Sequence, residues 1–161
     1  AHALGMTVIA TRNSGTTGPP FVSEVGLSGD LHRFAGRADV IVNALPLNAQ
    51  TRGVFNKAFF DAAKRGALFI NVGRGATVVT ADLIAALEDG RIGGAGLDVT
   101  DPEPLPADHP LWRAPNVLIT PHVAAEIDSG DGPRWLIARE NLRRFAAGGK
   151  LLSEVDVGRG Y

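Results

Sequence analysis

Five short, mainly apolar runs constrain the fold of this chain more than any other feature. They are rich in Val and Ile and continuous rather than alternating, which is typical of strands buried on both faces of a parallel sheet. Segments with helical spacing separate them, and this alternation predicts an α/β fold, a doubly wound parallel sheet with helices on both faces. The runs are MTVIATR (6–12), DVIVNAL (39–45), ALFINV (67–72), GAGLDV (94–99) and NVLITP (116–121).

Helices are predicted between the runs from apolar residues three and four positions apart and from capping signals. Residues 13–29 and 100–115, which are rich in Gly and Pro, are predicted to be irregular. The first predicted helix carries Leu31, Phe34, Ala35 and Ala38 and follows a cap at Ser28 or Asp30. The second has Phe55, Phe59 and Ala63 on one face and stops at Gly66. The third is capped by Thr80 and stops at Gly90, and the last covers 134–147.

Composition excludes several classes of protein. The 161 residues suit a single domain, and the net charge of -1, without a long run of one sign, argues against binding to nucleic acid or to a membrane surface. The absence of cysteine excludes disulfides and thiolate zinc sites, and it favours a cytoplasmic location. No apolar segment approaches the ~20 residues that span a bilayer, and no metal site is predicted.

Unusual residues follow the predicted strands at the points where the strands end. Arg12 closes the first run, Pro46 follows the second, Arg74 follows the third, Asp98 ends the fourth and His122 follows the fifth. The carboxyl ends of parallel strands meet at one edge of a sheet, where ligands bind. We therefore expect two arginines, an acid and a histidine at that edge.

The chemistry of these residue types suits the reduction of a 2-oxo acid. Arg74 could bind a carboxylate through two parallel hydrogen bonds, and the glycines beside it would let backbone and ligand approach closely. Histidine exchanges protons near neutral pH, so His122 could protonate the developing alkoxide. Glu103 lies close enough in sequence to reach the same edge and to fix the tautomer of His122.

Each of these residues also has a structural explanation. Arg74 could be a solvated loop residue, Asp98 could cap a turn, His122 could be a half-buried histidine with a satisfied ring, and Glu103 could be a surface charge. Only their joint placement favours function.

A hydride donor would require a dinucleotide site, yet the phosphate-binding pattern G-x-G-x-x-G is missing. The two nearest matches, GRGATV from Gly73 and GAGLDV from Gly94, both lack the third glycine.

Long, ordered motifs nevertheless resemble the D-isomer-specific 2-hydroxyacid dehydrogenases. The resemblance covers most of the chain and is weakest over 13–29 and 126–134. It rests on ALGMTVIATR, LPLNAQTRGVFN, FINVGRGATVVTADLIAALEDGRIGGAGLDVTDPEPLPADHPLW, NVLITPHVA and ENLRRFAAGGKLLSEVDVGRGY. It implies a Rossmann-like fold, NAD(P)-dependent reduction of a small 2-oxo acid such as glyoxylate or hydroxypyruvate, and a catalytic set of Arg74, Glu103 and His122.

The resemblance also implies the cofactor-binding residues. NAD-preferring members place an acid after the first strand; Arg12, with Asn13 and Ser14, instead favours the 2′-phosphate of NADP. Arg12 could alternatively stack on adenine without selecting either cofactor. The nicotinamide side is predicted at Leu45, Pro46, Thr51, Val72, Gly73 and Asp98.

The family pattern further implies a fragment. Its glycine-rich turn would lie upstream of Ala1, so residues 1–150 would be a partial dinucleotide-binding domain and 151–161 a tail returning to a substrate domain that is absent. We expect these residues alone to be inactive and the parent protein to be a homodimer. The alternatives are a dinucleotide-sensing binding protein of the corepressor type and, less favoured because Glu103 is retained, an enzyme for formate or phosphite.

Overall fold

The structure is a computed structural model that describes residues 1–125 and 132–155. Short 3-10 turns lie at His2–Leu4, Ser28–Asp30, Gly75–Thr77 and Pro110–Arg113. The strands are β1 (Val8–Arg12), β2 (Val22–Leu27), β3 (Val40–Asn43), β4 (Ala67–Asn71), β5 (Ile92–Leu97) and β6 (Val117–Ile119), and the helices are α1 (Leu31–Ala35), α2 (Lys57–Ala62), α3 (Thr80–Glu88) and α4 (Pro133–Ala146).

Every strand pair is parallel, and the strands form two sheets. The smaller sheet contains β1 and β2; the larger has the order β3-β4-β5-β6. The predicted α/β class with a parallel, Rossmann-like sheet is thereby confirmed. Among the described residues, β1 pairs only with β2 and β3 pairs only with β4, so each of these strands has one edge without a strand partner.

The core lies on one face of the four-stranded sheet. Phe69 of β4 is fully buried, and its ring meets the rings of Phe55 and Phe60 at centroid distances of 5.3 and 5.5 Å. Phe59 and Phe60 reach this face from α2, and Leu83 from α3 is buried beside them. The predicted apolar face is therefore buried, but only Phe59 of its three residues lies within α2; Phe55 precedes the helix and Ala63 follows it.

The opposite face of this sheet carries apolar side chains without a helical cover. Val42, Leu68 and Leu118 are 61%, 45% and 68% exposed, and the strand register places them on one face with Gly94 and Gly96 between them. The expectation of helices on both faces is thus met on one face only within the described part of the chain.

Two local predictions were wrong. Residues 13–29 were expected to be irregular, but β2 occupies Val22–Leu27 and pairs along the whole of β1. The strand was not predicted because its sequence, VSEVGL, contains a glycine and polar residues and has little strand propensity of its own. Its pairing with β1 accounts for its extended conformation. Thr80 does not cap α3; it is the first residue of that helix, and its hydroxyl donates to the carbonyl oxygen of Asp101 at 2.9 Å.

The last helix begins and ends within one residue of the prediction. After α4 the chain turns at Gly148, whose φ is 67°, and returns along the helix. The Asn141 side chain accepts a hydrogen bond from the Leu152 amide at 2.7 Å and donates to its carbonyl at 3.0 Å. The remainder of the predicted tail, from residue 156 onward, lies outside the described residues. Within the described ranges, none of the helices has the length and apolar character needed to cross a membrane.

Candidate functional site

The predicted site residues follow the strands as expected. Arg12 is the last residue of β1, Asp98 follows β5 directly, and Arg74 and His122 each lie three positions beyond the end of a strand, β4 and β6. Because the four strands of the larger sheet are parallel, the segments carrying Arg74, Asp98 and His122 leave it at the same edge.

His122 and Glu103 form a short pair at this edge. The distance between His122 Nδ1 and Glu103 Oε1 is 2.6 Å, and both side chains are partly exposed. An ionised Glu103 can only accept, so Nδ1 carries the hydrogen when the carboxylate is charged. Nε2 of His122 is then the ring nitrogen that remains for a ligand.

The backbone at His122 has an unusual conformation that Asp98 holds in place. The φ of His122 is 58°, in the left-handed region that residues with a Cβ seldom adopt. Asp98 Oδ1 accepts from the Thr120 hydroxyl at 2.6 Å and from the Val123 amide at 2.9 Å, while Oδ2 accepts from the Ala124 amide at 2.8 Å. The carboxylate therefore bonds to both sides of His122 and fixes the turn.

These hydrogen bonds also favour the charged form of Asp98. Its pKa is lowered, principally by the Thr120 hydroxyl and further by the amides of Ala124 and Val123, although desolvation opposes this. The buried carboxylate remains ionised and continues to accept the bonds that shape the turn.

Arg74 stands in a tight turn between two glycines that pack closely against neighbouring backbone, as the sequence predicted. A Cβ on Gly73 would lie 2.8 Å from the carbonyl oxygen of Leu45, and a Cβ on Gly75 would lie 1.8 Å from that of Thr100. The glycines thus let neighbouring backbone segments pack against the turn, and close approach of a ligand there stays a prediction. The Arg74 side chain is exposed, and its Nη1 donates to the Gly73 carbonyl at 2.7 Å.

The same close packing joins the turn to the segment that carries the glutamate. Gly75 packs against Thr100, which lies three residues before Glu103, and the Thr80 hydroxyl donates to the carbonyl of Asp101. The arginine turn and the glutamate segment are therefore in direct backbone contact, and Glu103 in turn contacts His122.

The residues predicted for the nicotinamide side lie next to this turn. Leu45 is half-buried and Pro46 is exposed at the end of β3, and Val72 is 41% exposed just after β4. Thr51 folds the intervening loop, since its hydroxyl donates to the Pro46 carbonyl at 2.6 Å and accepts from the Asn48 amide at 2.9 Å. Leu45, Pro46 and Val72 thus form an apolar border beside the arginine turn.

Arg12 and its two neighbours lie at the end of the other sheet. Asn13 and Ser14 are exposed, as is Arg12, whose Nη1 donates to the carbonyl of Thr17 at 2.8 Å. One hydrogen bond leaves donors of this guanidinium for an anionic ligand. The predicted contact of Arg12 with a ribose phosphate stays a prediction.

Four polar residues near the site were not predicted from the sequence. Asn43, Asn71 and Thr77 are fully buried beneath the arginine turn, and Thr120 bonds to Asp98. The available signal was a polar residue at the end of an otherwise apolar run, as in DVIVN and ALFIN. Within residues 1–125 and 132–155, no group of three or more His, Asp or Glu side chains is placed to hold a metal ion.

Comparison with known proteins identifies the family. The family model described as D-isomer specific 2-hydroxyacid dehydrogenase, NAD binding domain, matches residues 1–124, in agreement with the predicted family and the predicted nicotinamide cofactor. A glyoxylate/hydroxypyruvate reductase A from Salmonella paratyphi B is 37% identical over 160 residues, which are 99% of this chain and 50% of that protein. The chain thus spans about half the length of the curated relatives it matches.

Solved structures agree in sequence and in fold. A D-isomer specific 2-hydroxyacid dehydrogenase from Xanthobacter autotrophicus Py2, in complex with NADPH and MES, matches with a TM-score of 0.89 and 39% identity, covering 99% of this chain and 50% of that one. An NADPH-dependent glyoxylate/hydroxypyruvate reductase from Sinorhizobium meliloti, in complex with NADP and sulfate, matches with a TM-score of 0.85 and 37% identity, covering 99% and 51%.

Proposed function

Because the chain belongs to the D-isomer specific 2-hydroxyacid dehydrogenases, we propose that the full-length protein reduces small 2-oxo acids such as glyoxylate or hydroxypyruvate. The observation that carries the proposal is the 2.6 Å pair of His122 and Glu103 at the edge where Arg74 also emerges. The similarity to glyoxylate/hydroxypyruvate reductases supports the substrate class.

The proposed reaction assigns one task to each residue. Arg74 binds the substrate carboxylate, and this contact aligns the carbonyl carbon with the cofactor. The dinucleotide, when bound, supplies a hydride to that carbon. His122 donates the proton on Nε2 to the carbonyl oxygen, and Glu103 stabilises the imidazolium from which that proton comes. Hydride and proton together convert the 2-oxo acid to the 2-hydroxy acid.

We propose NADPH as the preferred cofactor. The exposed Arg12 guanidinium stands where the ribose is expected, and a cation there attracts a 2′-phosphate. In this proposal Arg12 contacts the ribose end of the dinucleotide, and the border formed by Leu45, Pro46 and Val72 contacts the nicotinamide end. The pattern G-x-G-x-x-G occurs nowhere in the 161 residues, so we expect them to turn over no substrate by themselves.

The proposal is tested with the full-length protein by following the absorbance of the reduced nicotinamide. Glyoxylate, hydroxypyruvate and phenylpyruvate are each offered with NADH and NADPH. We expect Arg74→Ala and His122→Ala to lower kcat/KM by about a hundredfold or more, and Glu103→Gln by less, as befits groups that act on the transition state. The matched control is Arg113→Ala, which removes an exposed arginine from a turn outside the site and is expected to leave the rate unchanged.

The cofactor preference has its own variant. Arg12→Ala is expected to weaken NADPH binding by about tenfold, the value of a surface charge-assisted contact, and to leave NADH binding unchanged. Equal losses for both cofactors would mean that Arg12 stacks on adenine and does not select the phosphate.

A different function would follow from one outcome. If the full-length protein binds the dinucleotide and reduces none of the three acids, the reductase assignment is wrong. The dinucleotide-sensing binding protein then becomes the better hypothesis.

A further inference from the structure

A buried polar cluster lies beneath the arginine turn and takes no part in the chemistry described above. It consists of Asn43 at the end of β3, Asn71 at the end of β4 and Thr77 in the 3-10 turn after Arg74. Their exposed fractions are 1%, 1% and 0%. Burial of three polar side chains is unfavourable unless their hydrogen bonds are satisfied, and apolar residues would fill the same space without that cost.

The hydrogen bonds of the cluster form one consistent network. Asn43 Nδ2 donates to Asn71 Oδ1 at 2.8 Å and to Thr77 Oγ1 at 2.7 Å. The Thr77 hydroxyl, with its single hydrogen, donates to the Arg74 carbonyl oxygen at 2.6 Å. Among the described residues, no buried side-chain nitrogen or oxygen is left without a partner.

The network ends on the backbone that surrounds Arg74. The Arg74 carbonyl accepts from Thr77 and, at 3.3 Å, from Asn71 Nδ2, while the Gly73 amide donates to Asn71 Oδ1 at 3.1 Å. On the other side, Asn43 Oδ1 accepts from the Leu45 amide at 3.0 Å. The cluster therefore fixes the peptide group before Gly73 and the one after Arg74, and ties them to the border at Leu45.

We propose that Asn43, Asn71 and Thr77 are positioning residues that hold the Arg74 turn in register with the end of β3, so that the guanidinium is directed at the substrate carboxylate. This inference rests on the proposed reduction of a 2-oxo acid. Buried, mutually bonded amides are more rigid than a loop alone, and displacement of a binding group by about 1 Å can cost on the order of a hundredfold in rate.

The test compares two substitutions of Thr77 in the full-length protein. Thr77→Val keeps the shape and removes both hydrogen bonds of the hydroxyl, whereas Thr77→Ser keeps the hydroxyl and removes only a methyl group. We expect Thr77→Val to lower kcat/KM for glyoxylate by on the order of a hundredfold, mainly through KM, with NADPH affinity changed less than about twofold. Thr77→Ser is expected to restore most of the lost activity.

Amide hydrogen exchange supplies a second readout that needs no activity. We expect the amides of residues 73–78 to exchange faster in Thr77→Val, while those of β4 retain their protection. Wild-type KM together with unchanged exchange in Thr77→Val would overturn the proposal, as would equal effects of Val and Ser. If Thr77→Val does not fold, Thr77→Ala, which leaves room for a water at the Arg74 carbonyl, takes its place.

The two proposals fail in different ways. If the wild-type protein reduces no 2-oxo acid, the proposed function is wrong, and exchange still decides whether the cluster holds the turn. If the wild type is active and Thr77→Val is equally active, the reductase assignment stands and the positioning role is wrong.

Discussion

The two sheets of the molecule are held together by different forces. In the four-stranded sheet, Phe69 is fully buried within a cluster of aromatic rings supplied by α2 and the segment before it. In the two-stranded sheet, no apolar side chain of β1 or β2 is fully buried, and Glu24 of β2 instead forms ion pairs with Arg33 at 2.8 Å and Arg37 at 2.6 Å. Exposed ion pairs are weakened by the screening effect of salt, whereas buried apolar contacts are not.

The two sheets also carry different parts of the proposed site. Arg74, Glu103 and His122, the proposed catalytic residues, follow the strands of the sheet with the aromatic core, and their proposed roles would require precise alignment. Arg12 ends a strand of the less buried sheet, and its predicted task, attraction of a phosphate, tolerates movement. The more buried sheet therefore carries the proposed catalytic residues, and the less buried sheet carries the proposed phosphate contact.

The largest effect that distinguishes the sheets is expected from truncation of the aromatic core. Phe69→Ala removes a fully buried ring and should lower the free energy of unfolding by about 3–5 kcal/mol. Val25→Ala, in the half-buried β2, should cost only about 1 kcal/mol. Urea unfolding of both variants measures the difference, and equal losses would remove the distinction between the sheets.

A smaller effect is expected at the glycine behind Arg74. Gly75→Ala would place a Cβ 1.8 Å from the Thr100 carbonyl oxygen, so the turn must move, at a cost of about 1–3 kcal/mol. The control is Gly29→Ala, because a Cβ there has no atom within 4 Å and the residue has no positive φ. We expect Gly29→Ala to change stability by less than about 0.5 kcal/mol. A Gly75→Ala protein with wild-type stability and KM would show that this contact does not shape the site.

The smallest effect concerns the ion pairs of the two-stranded sheet. Hydrogen bonds from Arg37 and Arg33 lower the pKa of Glu24 below its ordinary value of 4.5. A lowered pKa in the folded state means that the ion pairs stabilise the fold above pH 4.5 and lose this effect as the pH falls through the lowered value.

Glu24→Gln should therefore lower the unfolding midpoint slightly at neutral pH, and the difference from wild type should vanish in acid and shrink in high salt. Thermal unfolding across pH measures it. Glu88→Gln removes a carboxylate that has no ion pair with the described residues and serves as the control. A Glu24 effect that persists in acid would mean that packing, and not charge, holds this sheet.

Sequence periodicity predicted the parts of the fold that depend on burial. The continuous apolar runs identified β1 and the four strands of the larger sheet within a few residues, because such runs have few alternatives to a buried parallel sheet. β2 was missed, since its residues are half-buried and its strand conformation comes from pairing with β1. The separation of the strands into two sheets was not predictable either, because pairing partners are non-local.

The site was predictable where its chemistry lies in charged residues that follow strands. Arg74, Asp98 and His122 stand after strands as expected, and Glu103 meets His122. The supporting residues were not predictable, because Asn43 and Thr77 derive their importance from contacts with residues distant in sequence. The roles of the predicted site residues in cofactor and substrate binding stay predictions. The homodimer and the cytoplasmic location also stay predictions.

Within the part of the chain that the structure describes, β1 and β3 each have one edge without a strand partner, and such edges affect how a protein associates in solution. Each edge presents backbone donors and acceptors at strand spacing, which is a template for another chain. Strand addition between molecules is a bimolecular event, so its rate rises with the square of concentration, unlike loss by unfolding. Association through such edges would therefore depend on concentration, whereas unfolding of a single molecule would not.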